Sequence, residues 1–413
     1  MSVTNEFEII TLNNGIRVVY QQVNSPISHA CVIIGAGSRD EPKNRYGMAH
    51  FIEHLLFKKT RRRNTSQIIN WLESVGADLN AYTTKEYTCL HASFLKPYLA
   101  RALDLFEDLL FHSEFPEEEL KKEKSIILDE IASYRDSPED AIMDDFEDLV
   151  FKGHGLGHNI LGLEADLSSF DLSAVREFMD QNYAPDRTVI GISGQYSPRE
   201  VLRKVEKYYG HLLTRKSDGI KQADFLAHTP IAEQKLLPIN QVHYMMGSVA
   251  YSLHDQNKVG LLLLNNLIGG MGMGSRLNMN IREKHGIAYT IESNYHAYAD
   301  TGLFSVYFGT EEDKYEKALQ LIWKEFKKLR ARKLGESTLY QAKKKFKGQI
   351  ALGEESRMSL LIGQAKSLLD YGHVQTLSHV FEQIDLVDSS QILEIANQIL
   401  DPDRFFSLAF MPE

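Results

Sequence analysis

The sequence predicts an α+β protein of two tandem homologous domains, each a mainly antiparallel sheet flanked by helices. Three observations carry this expectation. Extended runs of alternating apolar and polar residues are interspersed with helical stretches. The first two runs are joined by Asn13-Asn14-Gly15, and Asn-Gly is the two-residue turn of a hairpin. The second half of the chain then repeats the order of the first, and 413 residues at roughly 100–200 per domain allow two or three domains.

The elements follow in order. FEIITL and IRVVYQQ form the hairpin, and a third strand covers residues 29–34. A helical stretch spans residues 45–58. Another opens near Asn64-Thr65-Ser66, with Thr65 or Ser66 as its cap and Gly76 as its end. ADLNAYTTKEYT and CLHASF, rich in Thr, Tyr and alternating residues, read as strands. The helix PYLARALDLFEDLLFH comes next, then a long helix over 116–134 and a third helical run over 141–151 after Ser137-Pro138. Strand TVIGISG and helix PREVLRKVEKYYGHL close a first domain, 1–212. Residues 213–238 are polar and aperiodic and read as a linker to a second domain, 239–413.

In that second domain KVGLLLLNNLIGG stands where the first has GMAHFIEHLLF. YTIESNYHAYA and LFSVYFGT match the two extended runs, and YEKALQLIWKEFKKL matches YLARALDLFEDLLFH. A repeat occurring twice is a pair of domains, not a solenoid. Only the first copy carries paired histidines and a glutamate, so the chemistry belongs to the N-terminal copy.

Composition narrows the class. Hydrophobic residues make up 43% and charged residues 25%, the balance of a globular protein. The two cysteines, Cys31 and Cys89, sit in apolar strand-like runs and read as small buried hydrophobes in a reducing compartment. The start, MSVTNEFEII, shows no secretory pattern, so a cytoplasmic location is expected. No stretch approaches the ~18 consecutive apolar residues of a membrane span. A net charge of −10 with only short basic clusters argues against nucleic acid as a partner.

His50-Phe51-Ile52-Glu53-His54 is an HxxEH pattern inside a helical stretch. Residues four apart share one helix face, so both imidazoles can reach one cation. Glu53 projects beside it as a base for a metal-activated water, the arrangement of inverted zincins. The bland alternative is two solvent-facing helix histidines and a salt-bridging glutamate. A catalytic zinc needs a third protein ligand. The helix over 116–134 offers Glu117, Glu118, Glu119, Glu123, Asp129 and Glu130, and spacing alone does not choose among them.

GMAHFIEHLLFKKT, NAYTTKEYT and EKSIILDEI together resemble the family of pitrilysin, insulin-degrading enzyme and the mitochondrial processing peptidases. The likeness spans essentially the whole chain and is greatest for the short, two-domain bacterial members. It implies a third ligand about 75 residues beyond the second histidine, which is the position of Glu130 relative to His54. Glu123, two helical turns earlier, matches a glutamate that supports the site without touching metal. One zinc per chain is implied. Arg282 and Tyr289 match an arginine and a tyrosine that bind substrate backbone near the zinc. Asn80 and Ala81 match the edge strand that takes up substrate as an added strand, which requires an unfolded peptide.

The family encloses its substrate in a chamber of four such domains, so a two-domain chain must pair. This chain carries both the zinc motif and the Arg/Tyr pair, which implies a homodimer with Arg282 and Tyr289 serving the partner's zinc. The resemblance thus implies a zinc-dependent endopeptidase of short or unfolded polypeptides. The alternative is a non-catalytic or partner-dependent subunit of a peptidase or processing complex. Such members tend to lose zinc ligands, and this chain keeps them along with Glu53. A hydrolase of some non-peptide substrate is a third reading, disfavoured by the edge strand. Among weaker signals, the Gly269–Gly274 run lacks the ending of a phosphate loop and reads as a turn after a helix. His154 and His158 read as structural histidines, and the acidic run 136–148 as an exposed helix face.

Overall fold

The computed structural model describes residues 7–215, 217, 225 and 227–413. Its first half contains strands β1 (Phe7–Thr11), β2 (Arg17–Gln22), β3 (Ile27–Ile34), β4 (Asp78–Thr83), β5 (Thr88–Leu95) and β6 (Thr188–Gly194). Its helices are α1 (Met48–Leu56), α2 (Thr65–Glu73), α3 (Leu99–Phe111), α4 (Glu117–Arg135), α5 (Pro138–Val150), α6 (Glu164–Leu167), α7 (Leu172–Asn182) and α8 (Pro198–Tyr209). The second half contains β7 (Ala232–Leu237), β8 (Val242–Ala250), β9 (Ala288–Ala297), β10 (Gly302–Thr310) and β11 (Phe406–Pro412). Its helices are α9 (Lys258–Ile268), α10 (Tyr315–Ala331), α11 (Glu336–Gly353), α12 (Arg357–Tyr371), α13 (Leu377–Leu386) and α14 (Ser389–Ile399).

Two sheets result, ordered β1-β2-β6-β3-β5-β4 and β7-β11-β8-β10-β9. Every pairing is antiparallel except β2–β6 and β7–β11. Without β1 the first order reads β2-β6-β3-β5-β4, the same path as the second sheet. The internal repeat expected from the sequence is therefore a repeat of topology, and the mainly antiparallel α+β architecture holds.

Alternation along the strands buries both faces of each sheet. In the first, Val18, Tyr20, Ala30, Val32 and Ile34 face a core shared with α1, α3 and α8. Their neighbours Val19, Cys31 and Ile33 face the opposite way, with Cys89 and Val189, onto Leu361, Ala365 and Leu368 of α12. Both cysteines are free and buried, and burial pushes the Cys89 thiol up to about 12. In the second sheet Tyr244 and Met246 face α9, α10 and α14. Met245, Phe406, Leu408 and Phe410 face Ile142, Phe146, Leu149 and Val150 of α5.

The compact units therefore do not follow the chain contiguously. One comprises residues 1–132, 158–222 and 353–376, the other 133–157, 223–352 and 377–413. This differs from the division at 1–212 and 239–413: α5 completes the unit of the second sheet, and α12 that of the first. The expected linker 213–238 also holds β7, which pairs in parallel with β11; its residues 216, 218–224 and 226 lie outside the described residues. A strand of exposed polar residues at a sheet edge lacks the apolar alternation that would have announced it. The cap of α2 is likewise one residue earlier than expected. Asn64 accepts from the Gln67 amide, and the Gln67 side chain returns the bond to the Asn64 N–H. No helix among the described residues is long and apolar enough to cross a membrane.

Candidate metal centre

Helix α1 begins at Gly47, whose φ of 97° is unfavourable for a side chain, and a Cβ there would lie 2.6 Å from the Leu161 carbonyl oxygen. The first turn of α1 is held by a buried carboxylate: Glu41 accepts from the amides of Gly47 and Ala49, both at 2.8 Å. An anion at a helix N-terminus satisfies orphan donors and complements the helix dipole. His158 Nε2 sits 2.9 Å from the same carboxylate and its ring stacks on Tyr46 at 3.9 Å. His158 is thus a structural histidine, as the sequence suggests. His154 lies 3.4 Å from Asp300. Neither belongs to a cluster able to hold a metal among the described residues.

His50, Glu53 and His54 project from successive turns of α1, and α4 lies opposite with Leu120, Glu123, Ile127 and Ile131 as its buried stripe. Glu130 stands beside that stripe. Its Oε2 is 3.9 Å from His50 Nε2 and 3.7 Å from His54 Nε2. A tetrahedral ion with ligands at about 2.0–2.1 Å places its ligand atoms about 3.3–3.4 Å apart. The two carboxylate–imidazole separations exceed this by about half an ångström or less, and all three ligand atoms lie within 4.8 Å of one another, close enough to converge on one ion after small side-chain shifts. The donor set, two imidazoles and a carboxylate, is of the zinc type.

The electrostatics fit a cation. Burial, reinforced by the neighbouring His54, pushes the His50 imidazole down to about 4, so the ring is neutral at neutral pH, as a ligand must be. Its Nδ1 is buried and has no hydrogen-bond partner among the described residues. His54 Nδ1 is 3.1 Å from Glu123 Oε2, an arrangement in which Nδ1–H donates to the carboxylate and the lone pair of Nε2 is left facing Glu130. Glu123 is 1% exposed, and its other oxygen is 2.7 Å from Lys58 Nζ. Thr83 Oγ1 donates to Glu53 Oε2 at 2.6 Å. Burial raises the Glu53 carboxyl above its ordinary value, and the Thr83 bond partly offsets that rise.

Thr83 ends β4, which also carries Asn80 and Ala81. Among the described residues β4 is the terminal strand of its sheet and pairs only with β5. Leu79 and Ala81 pack toward the core that includes α1, Tyr82 packs on the opposite face, and Asn80 is exposed. An unpaired strand edge thus runs past the base of the candidate site. Sequence reasoning found the α1 residues but missed Glu41, Lys58 and Thr83, whose roles appear only when loop and strand return to the helix.

Arg282 and Tyr289 belong to the other compact unit. Arg282 lies on a π-helical turn, Asn278–Glu283, a rare geometry enriched at functional sites. It is exposed, forms no ion pair among the described residues, and lines a cavity of about 520 Å³ with Asn266, Glu292 and Asn294. The Gly269–Gly274 run follows α9 and lines the same cavity. Tyr289 is 51% exposed, and its hydroxyl donates to Glu311. Neither residue takes the alternative of a carboxylate-paired arginine or a core tyrosine.

Comparison with known proteins agrees with this anatomy. Residues 17–164 match the model of insulinase, peptidase family M16, and residues 169–346 match that of the M16 inactive domain. The chain is 33% identical to the uncharacterized zinc protease YmxG of Bacillus subtilis, over 96% of this chain and 97% of that one. It is 31% identical to the uncharacterized zinc protease ML0855 of Mycobacterium leprae, over 95% and 88%. A crystal structure of a protease from Helicobacter pylori superposes with a TM-score of 0.90 at 20% identity, covering 99% of this chain and 100% of that one. By fold, repeat and sequence the chain belongs to the insulinase family of peptidases, M16, as one of its short two-domain members.

Proposed function

We propose that the protein is a zinc-dependent endopeptidase for short or unfolded polypeptides. The observation that carries this reading is the convergence of His50 Nε2 and His54 Nε2 on Glu130 Oε2, with Glu53 on the same helix and an unpaired strand edge beside it. His50, His54 and Glu130 would hold one catalytic zinc per chain. Zinc so bound supplies a Lewis acid and brings the pKa of a bound water to about 7. Glu53, held by Thr83, would take the water's proton and return it to the leaving amine. Glu123 would fix the His54 tautomer and is not itself a ligand. β4, at Asn80 and Ala81, would bind the substrate main chain as an added strand, which selects extended polypeptide over folded protein. Arg282 would donate to substrate carbonyls with its guanidinium fork and Tyr289 with its hydroxyl.

The test is cleavage of an unstructured peptide of about 20–30 residues, a length that spans many strand positions. Mass spectrometry should find internal cuts that vanish with a chelator. Glu53→Gln should lower kcat by about 10²–10⁴, the usual worth of a general base. A zinc-loaded chain that cuts no peptide would overturn the reading and favour a partner-dependent subunit.

We also propose a homodimeric chamber in which Arg282 and Tyr289 serve the zinc of the partner, a reading supported by the presence of both sets of residues on one chain. Glu53→Gln and Arg282→Ala chains, each inactive alone, should recover about a quarter of wild-type activity when mixed, because half the dimers are mixed and each has one intact site. Mixed dimers that form but stay inactive would exclude assembly in trans.

A further inference from the structure

A second cluster repeats the pattern of the metal centre. Glu107 lies in α3, His112 caps the C-terminus of that helix, and His211 follows α8. His112 Nε2 is 2.6 Å and His211 Nε2 3.4 Å from one oxygen, Glu107 Oε1. At the first centre, two histidine Nε2 atoms likewise converge on Glu130 Oε2. In both groups the candidate ligand atoms lie within 4.8 Å of one another.

We propose that Glu107, His112 and His211 form a second site for a transition-metal ion of the zinc class, independent of the peptidase reading. The carboxylate is built in place. Glu107 is 2% exposed, and Arg62 Nη2 donates to its Oε2, which turns Oε1 toward the imidazoles. Asp104, Glu107 and Asp108 form ion pairs with Arg62 and Arg63, which hold the Glu107 carboxylate in place.

The backbone that presents His211 is also fixed. Asn14 Nδ2 donates to the Tyr209 and Leu212 carbonyls at 2.8 and 3.2 Å, and the Tyr209 hydroxyl donates to the Leu103 carbonyl of α3. The two imidazole planes are within 8° of parallel, with centroids 6.4 Å apart, so both Nε2 edges face the same oxygen. A cavity of about 640 Å³, bounded in part by Trp71 and Tyr208, opens onto the cluster and leaves room for a solvent ligand. Metal entry would release the Nε2 proton that His112 shares with Glu107, because an imidazole nitrogen must be unprotonated to coordinate. The bound ion would clamp the end of α3 to the chain leaving α8. Arg61, Arg101 and Lys207 also line the cavity and make an anion the competing occupant.

The experiment titrates metal-free, full-length protein with zinc against a chromophoric chelator. The wild type should take up two equivalents, the His54→Ala chain one, and the His54→Ala/His211→Ala chain none. His211 is 57% exposed at its side chain, so His211→Ala should melt at the wild-type temperature in chelator while losing the added stabilisation given by the second zinc equivalent. A His54→Ala chain that binds no zinc, or an equivalent in the His54→Ala background that survives His112→Ala/His211→Ala, overturns the site, whatever the first site binds. Inorganic phosphate that stabilises the protein where zinc adds no second equivalent would assign the cavity to an anion. Because the second equivalent is counted without substrate, failure of peptide cleavage leaves this result intact, and the converse holds.

Discussion

Glu123 has almost no contact with water, yet it lies between His54 Nδ1 and Lys58 Nζ. A buried carboxylate is costly unless its oxygens are satisfied, and here both are. In the proposed reading its work would be to hold one tautomer of His54. Replacing it with Gln keeps the shape but weakens that hold, and an outer partner of this kind is worth about 10–100-fold in metal affinity. Glu123→Gln should therefore lose zinc to a competing chelator at about 10–100-fold lower chelator strength, with Glu53 and the substrate strand untouched. Unchanged affinity would show that Lys58, not His54, is the partner that matters. At this scale the sequence was legible where chemistry is local. His50, Glu53 and His54 lie within one and a half turns of a single helix, and helical spacing alone puts them together. Glu130 needed the family resemblance, because six carboxylates of one acidic helix offered the same chemistry. Glu41, Lys58 and Thr83 carried no signal, since nothing in a single polar or charged side chain indicates which distant element it will meet.

At the scale of elements, the feature that matters most is that β4 ends its sheet. A terminal strand presents main-chain donors and acceptors that no neighbour satisfies. In the proposed function that edge would take up substrate, and the proposal predicts a pattern in the substrate, not in the protein. Along an added strand, successive residues alternate between bonding to β4 and facing away. Peptides methylated on one backbone nitrogen at a time should therefore show KM rising at every second position. A lost backbone hydrogen bond is worth about 1 kcal/mol, or about fivefold in affinity. A flat profile across the scan would mean that the substrate is held by side-chain pockets instead. The strands themselves were readable from DLNAYTTKEYT and its neighbours, because alternation with Thr and Tyr is a local property. Their order was not, because neighbours in a sheet need not be neighbours in sequence. β7 escaped notice for a related reason: an exposed polar strand at a sheet edge has no buried face to print an apolar period on its sequence.

At the scale of the molecule, the repeat is complicated by an exchange. The acidic run of helix α5 reads as an exposed helix face, and Glu139, Asp140 and Asp148 fit that, but Ile142, Phe146, Leu149 and Val150 form an apolar stripe covering the second sheet. Helix α12 does the same for the first sheet. Leu361 reaches Gly191 of β6, where a Cβ would come within 3.1 Å of the leucine and 2.6 Å of Cys31 Sγ, and Arg17 Nη1 donates to the Leu368 carbonyl at the helix end. Hydrophobic periodicity shows that a helix has an apolar face but not which sheet that face will cover, so a contiguous division was the natural inference from the chain. The exchange makes a crossed prediction. Leu361→Ala removes a fully buried side chain and should cost about 2–5 kcal/mol, and Phe146→Ala about 3–5 kcal/mol. Hydrogen exchange on the intact chain should locate each cost. Leu361→Ala, in the C-terminal half of the sequence, should speed exchange in β2, β3, β5 and β6 and weaken zinc retention at His50 and His54. Phe146→Ala, in the N-terminal half, should speed exchange in β8, β10 and β11 and leave the zinc in place. If each substitution instead loosened the sheet of its own half, the exchanged helices would be decoration on two self-sufficient domains. If the crossed pattern appears, each sheet depends on a helix from the other half of the sequence, and neither half of the chain should fold when expressed without the other.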